Sequence, residues 1–247
     1  MTQTLFELPL AKAFQITLDN ELGGPKAGEP DGVTASEPDG VTASEPDGVT
    51  ASEPDGVTAS EPDGVTARKI MEKAADRYAD LHAERKRYDN RALAKHLEES
   101  ILPGIAFYQA LLDDPDTQQR SMDLVEAAFG EWAASRRKAL EPLARRPLFY
   151  WLMRTTTKAV TGREYPEEGW DIEWLEVSGE RIAYNINRCF YLDVLLEYEV
   201  PELIAQYCRV DDLIYEGLSP YAKWDRKGAL GRGDDCCDFR FERVKGR

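Results

Sequence analysis

The residues best equipped for chemistry lie in the last stretch of the chain, Gly231 to Phe241, which reads GRGDDCCDFRF. Two acids, Asp234 and Asp235, precede two adjacent cysteines, Cys236 and Cys237, and Asp238 and Arg240 follow them. Glycines at 231 and 233 permit a sharp turn with positive φ. Beyond the turn, strand alternation puts Cys237, Phe239 and Phe241 on one side and Cys236, Asp238 and Arg240 on the other. The first set is a core-facing stripe; the second is a thiol, a carboxylate and a guanidinium in a row. A thiol in an electropositive, accessible setting is reactive. Elsewhere it is a small hydrophobe on an edge strand.

Two further groups lie upstream. A helix opened by Pro201 and running to about Gly217 places Cys208, Asp211, Asp212 and Tyr215 on one face, at i, i+3, i+4 and i+7. A strand whose polar face ends in Asn187, Arg188 and Cys189 precedes it.

These groups need a sheet and a helix pair to position them. Trp170, Ile172, Trp174 and Glu176 alternate with Asp171, Glu173 and Leu175, and Ser178 and Gly179 form a turn. The return strand, Arg181 to Arg188, sets Ile182, Tyr184 and Ile186 against Asn185, Asn187 and Cys189. Phe190 to Tyr198 and the Pro201 segment are helices, Tyr221 to Arg226 a third strand and the tail a fourth. The expected fold is α+β: a helical N-terminal part, then a four-stranded antiparallel sheet with an inserted helix pair, ββααββ.

The N-terminal part divides three ways. Residues 1–28 hold a short, partly amphipathic helix, ended by Gly23, Gly24 and Pro25 and suited to docking on the main domain, the commoner fate, or to recognising a partner. Residues 29–68 are five copies of EPDGVTAS, the last ending in Arg68. Each copy has a Pro-Asp-Gly turn signal and one sizeable apolar residue, too little to stack a core. The composition predicts a disordered acidic tether, without the carboxylate density of a calcium loop. Residues 69–247 make the main domain, with helices over 69–160 and the sheet part over 165–247. One long helix is expected to about Ser100, a second through Leu112, a third over Gln119 to Arg137 and a last from about Leu148 to Val160. In that last helix Phe149, Tyr150 and Trp151 are expected in the core. His82 and His96 sit among charged helix residues, are expected in solvent, and have no second histidine at ligand spacing.

Net charge is −15, and residues 29–68, with five Glu and five Asp against one Arg, carry most of it. The acidity therefore belongs to the tether and argues against nucleic acid as a partner. No run of about 18 apolar residues predicts a membrane span, and no basic and apolar leader predicts export. Four cysteines in this setting are expected as reduced thiols in the cytoplasm. Deleting residues 29–68 is expected to leave folding nearly unchanged, because loop length costs little.

The ensemble of Asn185–Cys189 (N-x-x-R-C), Pro201–Leu203 (P-E-L), Cys208–Asp211 (C-x-x-D), Trp224–Arg226 (W-x-R) and Gly231–Phe241 resembles the L-2-amino-thiazoline-4-carboxylic acid hydrolase family, over roughly residues 70–247. Asn187 stands where the family often has Thr, and Lys227, Gly228 and Ala229 where it often has Thr-Lys-Thr. The resemblance implies a hydrolase acting on a C–N bond of a cyclic amidine: water adds to the C=N carbon of the thiazoline and yields a carbamoyl-cysteine. A small molecule is then the only expected partner. Such a reaction needs a guanidinium for the substrate carboxylate, for which Arg188, Arg226 and Arg240 are candidates. It needs carboxylates for the amidine and its protons, from Asp211, Asp212, Asp234 and Asp238, and a nucleophile, from Cys189, Cys208 and Cys237. Catalytic roles are expected of Cys237, the best nucleophile candidate by its place in the C-D-F part of the motif, and of Cys189, Asp212 and Asp234. Substrate contacts are expected of Asn187, Arg188, Cys208, Asp211, Arg226 and Asp238. No cofactor or metal is expected.

Two other classes fit parts of the pattern. A ligand-sensing module of vinyl-reductase-like type shares a G-D-x-x-C-x-F strand and would bind without turnover. A metal or iron–sulfur site would use Cys189, Cys208, Cys236 and Cys237, although vicinal cysteines chelate one ion poorly and no C-x-x-C is present.

Overall fold

The computed structural model describes residues 4–22 and 64–245. Most of the acidic repeat lies outside the described residues. Eight α-helices and four strands are present among those described.

Helix α1 (Pro9–Glu21) starts on proline and buries Leu10, Ala11, Phe14 and Leu18 completely. Its main partner is α5 (Ser121–Ala144). Phe14 stacks on Phe107 at 4.3 Å and meets Phe129 edge-on at 6.3 Å. The N-terminal helix is thus part of the main core rather than an appendage to it. Helix α2 (Gly64–Glu84) begins inside the last repeat copy and packs Ile70, Met71, Ala74 and Tyr78 towards α4. Ala67 is also buried. A deletion meant to spare the fold therefore has to stop before Gly64, not at Arg68.

The expected long helix to Ser100 is broken. After Glu84 the chain leaves helix, and the Asn90 side chain restarts it by accepting from the Ala92 N–H at 3.0 Å. Helix α3 (Arg91–His96) runs through a π turn, Leu97–Ile101, into α4 (Leu102–Leu112). Pro103 lies just past the π turn and lacks the N–H that a regular ladder requires. The carbonyls left over are taken by tyrosines: Tyr78 Oη donates to Glu98 O at 3.0 Å, and Tyr207 Oη to Ser100 O at 2.9 Å. The Tyr207 hydroxyl fits because residue 104 is glycine; a Cβ there would stand 2.2 Å from it.

Helix α6 (Phe149–Glu164) follows α5. Phe149 and Tyr150 are buried as expected, but Trp151 is 54% exposed, since consecutive helix residues diverge by about 100°. The sheet then forms as β1 (Asp171–Val177), β2 (Arg181–Arg188), β3 (Ala222–Asp225) and β4 (Cys237–Arg243). Its order is β1-β2-β4-β3, all antiparallel. Helices α7 (Phe190–Glu197) and α8 (Ile204–Tyr215) are inserted between β2 and β3. This is the expected α+β ββααββ arrangement. The inner face pairs Ile186 with Cys237, Tyr184 with Phe239, and Ile182 and Trp224 with Phe241. Asn185, Asp238 and Arg240 fall on the outer face.

Helix α8 packs along α5 and is fixed at its C-terminus by Arg137, whose Nη1 donates to Leu213 O, Ile214 O and Glu216 O at 3.1, 3.1 and 2.6 Å. No helix among the described residues is long and apolar enough to cross a membrane. If α1 belongs to the cooperative core, Phe14→Ala will cost about 3–5 kcal/mol in a urea titration monitored by far-UV circular dichroism. A loss below about 1 kcal/mol would mean that α1 is peripheral.

Candidate active site

A cavity of about 340 Å³ lies between the inner face of the sheet and helices α5 to α8. Nine aromatic residues, Trp132, Tyr165, Trp170, Tyr184, Tyr191, Tyr207, Tyr215, Phe239 and Phe241, contribute to its walls. Three of the four cysteines, Cys189, Cys208 and Cys237, reach it, and so do Asp211, Arg226, Arg136 and Glu164.

The alternation of the tail and the helical spacing of α8 bring Cys208 and Cys237 together. Cys237 lies at the start of β4, on the inner face, and accepts the Leu230 N–H at 3.2 Å. Cys208 lies in the second turn of α8. The loop before β4 can close over it because residue 231 is glycine. A Cβ at 231 would come within 2.8 Å of both Cys208 Sγ and Ile204 Cγ1. The positive φ expected at both glycines occurs at Gly233 alone, at 86°. A hydrogen bond from the Cys237 thiol, a second from the Gly231 N–H and the charge of Arg226 draw Cys208 down to about 7 against the opposing effect of burial. The same thiol–thiol hydrogen bond, together with burial, raises Cys237. The pair thus shares one negative charge near neutrality.

Arg226 is buried, with 1% of its side chain exposed. Its Nη2 donates to Asp212 Oδ2 at 2.6 Å and to Cys208 O at 2.5 Å, and its Nη1 lies 3.5 Å from Asp211 Oδ2. Asp212 also accepts from Trp224 Nε1 at 3.0 Å. Asp211 faces the cavity, which accounts for the 36% of its side chain that stays accessible. Burial, aided by Asp212, pushes its carboxyl up to about 6 although Arg226 and Arg136 pull the other way.

The remaining expected residues are distributed differently. Cys189 follows the last residue of β2 as the cap of α7, so its side chain reaches the cavity rather than the outer face predicted by alternation. Burial pushes its thiol up to about 11. Asp212 stands behind the cavity wall, holding Arg226 and Trp224. Asp234 and Asp238 shape the loop: Asp234 Oδ2 accepts the Ala229 N–H at 2.8 Å, and Asp238 Oδ1 accepts those of Lys227 and Gly228 at 2.9 and 2.6 Å. Asn187 and Arg188 are exposed at the end of β2, where Arg188 pairs with Asp193 at 3.3 Å. Arg240 donates to Tyr184 O and to Asn185 Oδ1, both at 2.7 Å, on the outer face. Among the described residues no three of His, Cys, Asp or Glu converge as a metal site.

His96, expected in solvent, packs instead against Tyr165, Trp170 and Tyr191. Its Nε2 lies 2.9 Å from Glu164 O, a pure acceptor, so Nε2 carries the proton. Nδ1 then accepts from Tyr191 Oη at 2.9 Å. Burial lowers the pKa of His96 and keeps it neutral. Trp132 and Arg136, which the sequence reading did not single out for the site, are one helical turn apart on α5, and that spacing puts both on the cavity wall.

Alkylation by iodoacetamide, mapped by peptide mass, should follow this electrostatic order. Modification of Cys208 should rise with pH through a midpoint near 7, while Cys189 should stay inert to beyond pH 9. Cys237→Ala, which removes the donor, should move the Cys208 midpoint towards the ordinary thiol value of about 8.5. An unchanged midpoint would rule out the shared charge.

The sequence model of the L-2-amino-thiazoline-4-carboxylic acid hydrolase family matches residues 94–241. No curated protein and no solved structure matches the chain. The matched segment starts in α3, ends in β4 and includes every wall of the cavity, while α1 and α2 lie outside it. By this match and by the thiol-lined cavity it encloses, the chain belongs to the L-2-amino-thiazoline-4-carboxylic acid hydrolase family.

Proposed function

We propose that the cavity opens a cyclic amidine of the 2-amino-thiazoline-4-carboxylate type by hydrolysis, with Cys208 as the nucleophile. The observation that carries this reading is the meeting of Cys208 and Cys237 with Asp211 and Arg226 on the wall of one aromatic-lined cavity. Cys237 is then the proton donor of the pair rather than the attacking thiol, because the charge of Arg226 favours the thiolate on Cys208. Cys189 contributes a wall contact only, since its thiol stays protonated at neutral pH.

Asp211 is mostly ionised at neutral pH, so it suits both the protonated amidine and the transfer of its protons. The Cys208 thiolate adds to the ring C=N carbon, forming an S–C bond as the C=N electron pair moves to nitrogen. The tetrahedral carbon collapses, the ring C–S bond breaks, and the departing sulfur takes a proton from Cys237. Water then adds to the isothiouronium carbon and gives up its protons, one to Asp211 and one to the thiolate of Cys237. The S–C bond to Cys208 breaks, restoring its thiolate. The net change is one water added to the substrate and a carbamoyl-cysteine released. Arg226 holds Asp211 and the backbone of Cys208 in place throughout.

Incubation with L-2-amino-thiazoline-4-carboxylate should give a product heavier by one water in mass spectrometry. Cys208→Ser should lower kcat by about 10³-fold or more. For the wild type, kcat/KM should fall as pH drops below about 7, where the Cys208 thiolate is protonated. Full turnover by Cys208→Ser would remove the covalent route. Tight binding of the thiazoline with no product would instead favour the ligand-sensing alternative.

A further inference from the structure

The cavity has a second cation that the reaction scheme leaves unused. Arg226 is largely committed: it is buried, its Nη atoms are held by Asp212, Asp211 and the Cys208 carbonyl, and only its Nε is left without a partner. Arg136 is different. It is exposed at the cavity wall, and among the described residues no carboxylate stands within ion-pair distance of it. Glu164, the other acid on the wall, is paired with Arg163 at 2.9 Å and Lys95 at 3.8 Å.

The Arg136 guanidinium lies over the Trp132 ring at 4.2 Å, and both residues line the cavity. Cation–π attraction holds the guanidinium over the ring, and among the described residues its N–H groups have no hydrogen-bond partner, so they are free to grip a carboxylate with two parallel hydrogen bonds. The helix beneath it does not drift, because the next residue, Arg137, is bonded to three carbonyls at the end of α8. Arg136, Asp211 and the two thiols line the same cavity, so the cation and the thiol end are both within reach of one ligand.

We infer that Arg136, stacked on Trp132, is the specificity-determining residue that receives the anionic group of the ligand, a carboxylate on a small heterocycle. This deepens the reading of the cavity as an amidine hydrolase and rests on it for the reacting carbon, but not for the anion site. It also reassigns the carboxylate contact from Arg188, Arg226 and Arg240 to a residue of the helical part of the chain.

The test uses two probes without the C=N carbon that the reaction attacks, L-thiazolidine-4-carboxylate and thiazolidine, titrated against the tryptophan fluorescence of the full chain. The wild type should bind the carboxylate about 10- to 100-fold more tightly than the parent ring. Arg136→Gln should remove that preference with the melting temperature unchanged, and Arg136→Lys, which keeps the charge and loses the fork, should retain part of it. A wild type with no preference for the carboxylate, or an Arg136→Gln variant that keeps the preference, would overturn the inference. If the preference depends on Arg136 and the amino-thiazoline is still not turned over, the anion site stands and the hydrolase reading falls.

Discussion

The site hangs on one buried guanidinium. Taking Arg226 out of water would be costly without partners that answer its charge. Two carboxylates on consecutive residues of α8 and a carbonyl one turn earlier provide them. That arrangement ties the end of β3 to the middle of α8, and β3 is in turn paired with β4. The distance between the strand thiol and the helix thiol is therefore set by an ion pair rather than by apolar packing alone. Arg137 and Tyr207 hold the same helix from its other sides, against α5 and against the π turn.

This framework places two ionisable groups in an apolar, aromatic enclosure and displaces them in opposite directions. Burial lifts the acid, Asp211, while a sulfur–sulfur hydrogen bond lowers the thiol, Cys208, and the two come to lie within about one pH unit of each other near neutrality. Proton exchange between an acid and a nucleophile so matched is nearly level in free energy, which is the condition under which either can give or take a proton during a reaction. Arg226 assists the second displacement and restrains the first, so Asp211 rises no further than burial can lift it against that charge.

Much of this was legible in the residues. The two-residue period of the tail gave the inner face of β4, and the i, i+3, i+7 spacing of Cys208, Asp211 and Tyr215 gave the wall of α8; both depend only on local geometry. What failed to show was anything settled by backbone partners. Asp234 and Asp238 resemble catalytic acids in type, but their oxygens are committed to main-chain N–H groups across a loop whose path no pattern reveals. Cys189 missed its predicted face because the strand stops one residue before it. His96 has charged neighbours in sequence and aromatic ones in space, since its surroundings come from α6, α7 and the segment before β1. The break after Glu84 was marked only by Asn90, a capping residue six positions further on.

The π turn between α3 and α4 has one more effect. Widening a single turn inserts an extra residue into the winding, so everything downstream is rotated by about 100° relative to an unbroken helix. Upstream of that offset, His96 points to the aromatic lining of the cavity; downstream, Phe107 points to Phe14 in the hydrophobic centre formed with α1. One rod thereby serves two differently oriented layers, and the missing amide of Pro103 acts as the phase marker between them. A residue at 103 able to complete the ordinary ladder would put the two layers out of step, so damage to the cavity could arise from a position that never touches it.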